Sequence, residues 1–159
     1  MHTAVKRKFD FRAFAFFEII TLGAGLASGF LSGISGFDGL TKPPLTPPAF
    51  VFPLVWTILY ALMAFAAYLV YNTDDLDRGA PLRMYLLQLL VNVLWPVFFF
   101  RLEWRLFSFF WLLLLIALIT LTMVGFRSIR PAAYYLMIPY LLWCLFAAYL
   151  NLAFYLLNR

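Results

Sequence analysis

The chain has 159 residues, of which 65 % are hydrophobic, 21 % aromatic and only 12 % charged. An ordinary soluble domain is about 45–50 % apolar and about 25 % charged, so this composition excludes a soluble enzyme or a disordered tail. The net charge of +5 sits in short clusters between apolar blocks, which is how membrane proteins orient themselves and not how a nucleic-acid-binding face is built.

A bilayer core about 30 Å thick takes about 20 helical residues to cross. The first apolar block, Ala13 to Leu31, carries a single charge, Glu18. Charge-free stretches then run from Pro43 to Thr73, Met84 to Phe100, Leu106 to Phe126 and Pro131 to Asn158. The spans expected are therefore roughly 13–31, 49–71, 84–100, 106–125 and 132–157. The third is short, which implies little tilt or local thinning of the bilayer. Strand-like alternation is absent, so a transmembrane barrel is rejected. The reading is all-α: one integral membrane domain, 1–159, built as a five-helix bundle with a lid loop over 32–48.

Lysine and arginine placement sets the orientation. With the N-terminus inside, the inner segments hold Lys6, Arg7, Lys8, Arg12, Arg78, Arg83, Arg127 and Arg130, against Lys42, Arg101, Arg105 and Arg159 outside. That excess places the N-terminus in the cytoplasm and the C-terminus outside.

The inventory of reactive groups closes several doors. His2 and Cys144 are the only histidine and cysteine. They cannot build a zinc or iron–sulfur site, and no Ser-His or Cys-His dyad can form inside the fold. No metal site and no cofactor are expected.

Within the first span, Gly25 and Gly29 form a G-x-x-x-G, which lets two helix backbones approach closely in lipid, either inside one chain or between two. Glu18, about two turns into that span, either pairs with Arg12 and the N-terminal lysines or serves function. The lysine–proline segment KPPLTPPAFVFP, Lys42 to Pro53, stiffens the entry to the second span, with Pro47 and Pro48 at natural first-turn positions after Thr46. The glycine-rich loop before it is long, as lids often are.

Three spans carry aromatic stripes with small or polar partners. They are Pro53, Trp56, Tyr60 and Ala64 in the second, Gln88, Asn92 and Trp95 in the third, and Trp143, Ala147 and Asn151 in the fifth. Pro96 should bend the third helix outward or end its regular hydrogen bonding, and Pro139 should kink the fifth. Together the stripes outline an internal pocket that suits a flat hydrophobic ligand better than an ion or a sugar.

These residues also carry a resemblance. KPPLTPP followed by VWTILYALMAF, then LQLLVNVLWPVFFF and PYLLWCLFAAYLN, resembles the translocator protein / tryptophan-rich sensory protein family, once called the peripheral benzodiazepine receptor. The match runs through all five spans in order. It implies a five-helix bundle, usually a homodimer, with a pocket beneath the first loop. The ligands it implies are porphyrins such as protoporphyrin IX and, in animal members, cholesterol and synthetic isoquinoline and benzodiazepine drugs. Bacterial members are linked to tetrapyrrole and stress regulation, and some promote light-dependent porphyrin breakdown. By position, Trp56 and Trp143 resemble the two pocket tryptophans, and Ala147 the small residue whose enlargement alters binding. Gln88, Asn92 and Trp95 fall beside the pocket, with Tyr60 and Phe50 as further ligand-binding positions. Two departures stand out: Leu45 takes the place of a tryptophan in the family's K-P-S-W, and Phe37 is the loop's only aromatic. A sterol motif of the L-x-x-Y-x-x-x-R type can be read at Leu152, Tyr155 and Arg159.

The function expected is binding of porphyrins, and secondarily sterols, in an intramembrane pocket, as sensor, regulator or translocator. Porphyrin enters as ligand, not cofactor. The alternatives are a light- and oxygen-dependent porphyrin-degrading activity and a secondary transporter coupled through Glu18. The expected partners are the lipid bilayer, the hydrophobic ligand and a second copy of the chain, with no nucleic acid. The location expected is the bacterial cell membrane, or the mitochondrial outer membrane for a eukaryotic chain.

Overall fold

The computed structural model describes residues 8–33 and 39–159. Phe37, and Lys6 and Arg7 of the N-terminal basic cluster, lie outside the described residues. Five helices among the described residues are long and apolar enough to cross a bilayer. They are α1 (Phe11–Ser32), α2 (Val51–Tyr71), α3 (Gly79–Pro96), α4 (Arg105–Ile129) and α5 (Pro131–Leu157).

Each start has a local cause. The Asp10 carboxylate accepts from the backbone N–H groups of Arg12 and Ala13 at 3.0 and 3.1 Å, capping α1. Asp10 N–H in turn donates to the Tyr68 hydroxyl near the far end of α2, tying the entry of α1 to its neighbour. Pro131 sits at the first turn of α5, where its missing N–H costs nothing.

α2 begins later than the proline pair suggests. Thr46 N–H and hydroxyl both bond the Pro43 carbonyl, and Val51 N–H bonds the Pro48 carbonyl at 3.0 Å. Pro47 precedes another proline, which disfavours the helical region there, so Pro47 and Pro48 shape a turn and the helix opens at Val51.

α3 differs from the short span that charge counting marks out. It starts at Gly79, and with the short turn before it and the π-turn Val97–Arg101 after Pro96 the apolar stretch runs over 26 residues, Leu76–Arg101. Counting stopped at Arg83, but a long cationic side chain in the first turns of a span can reach the headgroups. No bilayer thinning is needed. The π-turn is the break in regular bonding expected after Pro96.

The helices close a ring in the order α1, α2, α5, α4, α3, with α3 returning to α1. At the end of the bundle where α2 begins, Thr41 and Pro44 lie against α5. Thr41 N–H donates to Asn158 Oδ1 at 2.8 Å, Asn158 Nδ2 donates to the Thr41 carbonyl at 3.0 Å, and the Tyr149 hydroxyl donates to the Pro44 carbonyl at 3.0 Å. Leu45 stands there with φ 67° and an exposed side chain. Of the sterol motif, Leu152 and Tyr155 are half-buried on α5, and Arg159 is exposed just beyond it.

Candidate functional site

The ring encloses a polar column inside an otherwise apolar core. α3 supplies its axis: Tyr85, Gln88, Asn92 and Trp95, spaced three, four and three residues apart, share one helix face and are all buried. α2 contributes Trp56 and, one turn on, Tyr60. α5 contributes Tyr140, Ala147 and Asn151.

At the centre the hydrogen bonds run in one direction. Tyr60 O–H donates to Asn92 Oδ1 at 2.7 Å, and Asn92 Nδ2 donates to the Tyr140 oxygen at 2.6 Å. Tyr140 O–H donates onward to Gln88 Oε1 at 2.8 Å. The chain ends at Gln88 Nε2, which is buried and has no partner among the described residues. In hydrocarbon an unsatisfied amide donor is costly, and successive donors in line polarise one another. The end of this chain is therefore a strengthened, unspent N–H group.

Trp56 packs over the same groups. Its ring lies 5.6 Å from Tyr60, 6.2 Å from Tyr140 and 6.5 Å from Trp95, centroid to centroid. Toward the end where α4 begins, Asn151 Oδ1 accepts from Trp95 Nε1 and from Ser108 Oγ, both at 3.0 Å, while Asn151 Nδ2 donates to the Arg105 carbonyl at 2.7 Å. Toward the opposite end, the Thr21 and Tyr85 hydroxyls meet at 2.6 Å.

Five of the expected site residues thus come together: Trp56, Tyr60, Gln88, Asn92 and Trp95. Ala147 is buried on α5, one turn from Asn151. Trp143 stands apart. Its ring meets Phe52 at 6.0 Å and Phe146 at 5.5 Å, and it walls an apolar groove of about 500 Å³ between α2 and α5 with Leu59, Leu62, Pro139 and Leu142. Its indole Nε1 is buried without a partner among the described residues. Phe50, just before α2, is 69 % exposed and touches none of this.

The stripe drawn on α5 explains the discrepancy. Positions 143, 147 and 151 drift by about 40° at each step, whereas 140, 144, 147 and 151 stay within one narrow face. The buried face follows the second set: Tyr140, Cys144, Ala147 and Asn151. Tyr140 and Ser108 were absent from the expected site. Tyr140 was legible from that spacing, while Ser108, one small hydroxyl in the apolar run of α4, gave no signal of its own.

The two glycines of the G-x-x-x-G part company. Gly25 faces Tyr60, whereas an added Cβ at Gly29 would meet nothing within 4 Å. Glu18 is half-buried on α1 and forms no ion pair among the described residues, with Arg12 or otherwise.

The sequence matches the TspO/MBR family over residues 17–156. The chain belongs to this family. It is 37 % identical over 126 residues to the Tryptophan-rich protein TspO of Chlorobaculum tepidum, covering 77 % of this chain and 78 % of that one. It is 36 % identical over 115 residues to the Tryptophan-rich sensory protein of Cereibacter sphaeroides, covering 72 % of each. It is also 34 % identical over 139 residues to the Translocator protein of Homo sapiens, covering 82 % and 80 %. The stretch shared with the TspO/MBR family takes in most of α1, all of α2, α3 and α4 and nearly all of α5, and so the whole polar column. The chain is a multi-pass integral membrane protein of that family.

Proposed function

We propose that this TspO/MBR protein binds a flat, largely apolar ligand of the porphyrin class between α2, α3 and α5, and acts as a sensor or carrier of it. The observation that carries the reading is the one-way chain ending at the unpartnered Gln88 Nε2, with the Trp56 ring packed on Tyr60 and Tyr140 of the same chain. A buried donor and an aromatic ring on one network suit a planar molecule bearing an acceptor, and a porphyrin with carboxylate side chains is such a molecule. The seam between α2 and α5, past Trp143, is the way in from the bilayer. Sterols, with one hydroxyl, are the second ligand class. Gly29, beside the outward Leu26 and Phe30, is the proposed contact with a second copy of the chain.

The test is a titration of protoporphyrin IX into purified protein, followed by quenching of tryptophan fluorescence. Gln88→Leu removes a donor that would serve a charged acceptor, worth about 1.5–3 kcal/mol, so affinity should fall roughly ten- to hundredfold. Trp56→Leu should fall by a similar factor through lost ring contact and burial. Trp104, exposed and stacked on Phe98 at the bundle's outer end, is the control. Loss of affinity in Trp104→Leu equal to that in Trp56→Leu, with both folded, would place the ligand elsewhere. Trp111 cannot play that part, since its indole donates to the Val91 carbonyl at 2.8 Å and holds α4 to α3.

A further inference from the structure

We propose that Gly25 is the seat of the Tyr60 ring, and so a positioning residue for the ligand site and not a contact between two chains. The argument begins on α1. Thr21, Gly25, Ser28 and Ser32 are spaced four, three and four residues apart, which puts them on one face, and Thr21, Ser28 and Ser32 are buried. On either side of Gly25 that face is tied to α3. The Thr21 hydroxyl meets Tyr85 at 2.6 Å, and the Ser28 hydroxyl donates to the Val93 carbonyl at 3.1 Å. α1 therefore cannot back away at Gly25 without breaking both ties.

Into the gap between them comes the Cδ2–Cε2 side of the Tyr60 ring. A Cβ at Gly25 would lie 2.5 Å from Tyr60 Cδ2, 2.6 Å from Cε2 and 3.1 Å from Cγ. These are atoms of a rigid ring, not the tip of a flexible chain. Nor can the ring turn aside freely, because its hydroxyl is held by Asn92 and Trp56 packs 5.6 Å away. Only glycine admits this approach, the use to which small residues are put between membrane helices. Tyr60 is the first donor of the chain that ends at Gln88. Displacing it leaves Asn92 Oδ1 without its donor, and the pull on the terminal Gln88 donor weakens.

The ligand part of this inference rests on the porphyrin reading; the packing part does not. The experiment separates them with Gly25→Ala, Tyr60→Leu, the double variant, and Gly23→Ala as the control, since a Cβ at Gly23 meets nothing within 4 Å. Thermal melting in detergent is measured for all, and protoporphyrin IX affinity and oligomeric state for wild type and Gly25→Ala. Gly25→Ala should lower the melting temperature in the wild-type background and have little effect beside Tyr60→Leu, while Gly23→Ala is neutral or stabilising. Affinity should drop roughly tenfold with the oligomeric state unchanged. Should Gly25→Ala fail to fold alone yet fold beside Tyr60→Leu, the seat is supported on the same ground. Additive melting shifts would overturn the seat, as would a Gly25→Ala variant that melts like Gly23→Ala. Coupled melting with unaltered porphyrin affinity would overturn the positioning role. Coupled melting in a wild-type protein that takes up no porphyrin would leave the seat standing and overturn both the ligand reading and the role drawn from it.

Discussion

Asn151 is the residue on which three helices converge, and its removal has a calculable cost. Its amide accepts from Trp95 on α3 and Ser108 on α4 and donates to the Arg105 carbonyl at the start of α4. Interhelical hydrogen bonds in membrane proteins average about 0.6 kcal/mol, so three such bonds give about 2 kcal/mol. Asn151→Leu keeps the branched shape but orphans the Trp95 N–H, because Ser108 and the Arg105 carbonyl still have each other at 2.9 Å. A buried orphan donor raises the expected loss to about 2–3 kcal/mol. Ser108→Ala deletes two bonds and orphans no donor, so it should cost about 1 kcal/mol. The assay is reversible unfolding in mixed micelles of increasing SDS fraction, followed by tryptophan fluorescence. A Ser108→Ala loss equal to or larger than that of Asn151→Leu would refute the view that the orphaned indole sets the order.

Two further outcomes are expected. Asp75→Cys, in the loop after α2, should react with an impermeant thiol reagent only from the cytoplasmic side of oriented vesicles, since Cys144 is fully buried and stays silent. Labelling from outside would invert the topology and leave the fold intact. Gly29→Ile should shift the detergent-solubilised protein toward monomer, because a β-branched side chain blocks close backbone approach. An unchanged oligomer with an intact melting profile would remove Gly29 from the interface.

The spans were legible because a bilayer forces long apolar stretches, and a lone Glu18 was not enough to hide the first. Their ends were less so. Arg83 and the prolines before Val51 show why: charge marks where a side chain meets headgroups, not where the backbone stops being helical, and a proline pair fixes a turn as readily as a helix start. The aromatic–amide site was half legible. Gln88, Asn92 and Trp95 lie within a narrow arc at spacings of four and three, so the residues alone place them together. Trp143 misled because steps of four drift around the helix, and its neighbours on that side are Phe52 and Phe146. Tyr140 was open to the spacing of 140, 144, 147 and 151, whereas Ser108 matters through a partner on another helix, and no single-helix pattern contains that information. The same holds for Gly25, which reads as a helix–helix contact of unknown partner until the Tyr60 ring is seen against it.

The polar column gives this bundle a property that an apolar core would lack. Helices in lipid gain little from burying hydrocarbon against one another, so specific ties and close packing decide which faces meet. Here the ties coincide with the proposed site: Tyr60 to Asn92 joins α2 to α3, Tyr140 joins α5 to the same helix, and Trp95 to Asn151 joins α3 to α5 again. A ligand acceptor at Gln88 Nε2 would complete the chain and so tighten the bundle as it binds, stabilising by mass action whatever arrangement carries that donor. Substitutions in the column must therefore change stability and affinity together. Only the ratio of the two across variants, Gln88→Leu with the terminal donor and the Tyr140 tie lost together against Asn151→Leu with ties alone lost, separates a group that meets the ligand from one that only holds the fold.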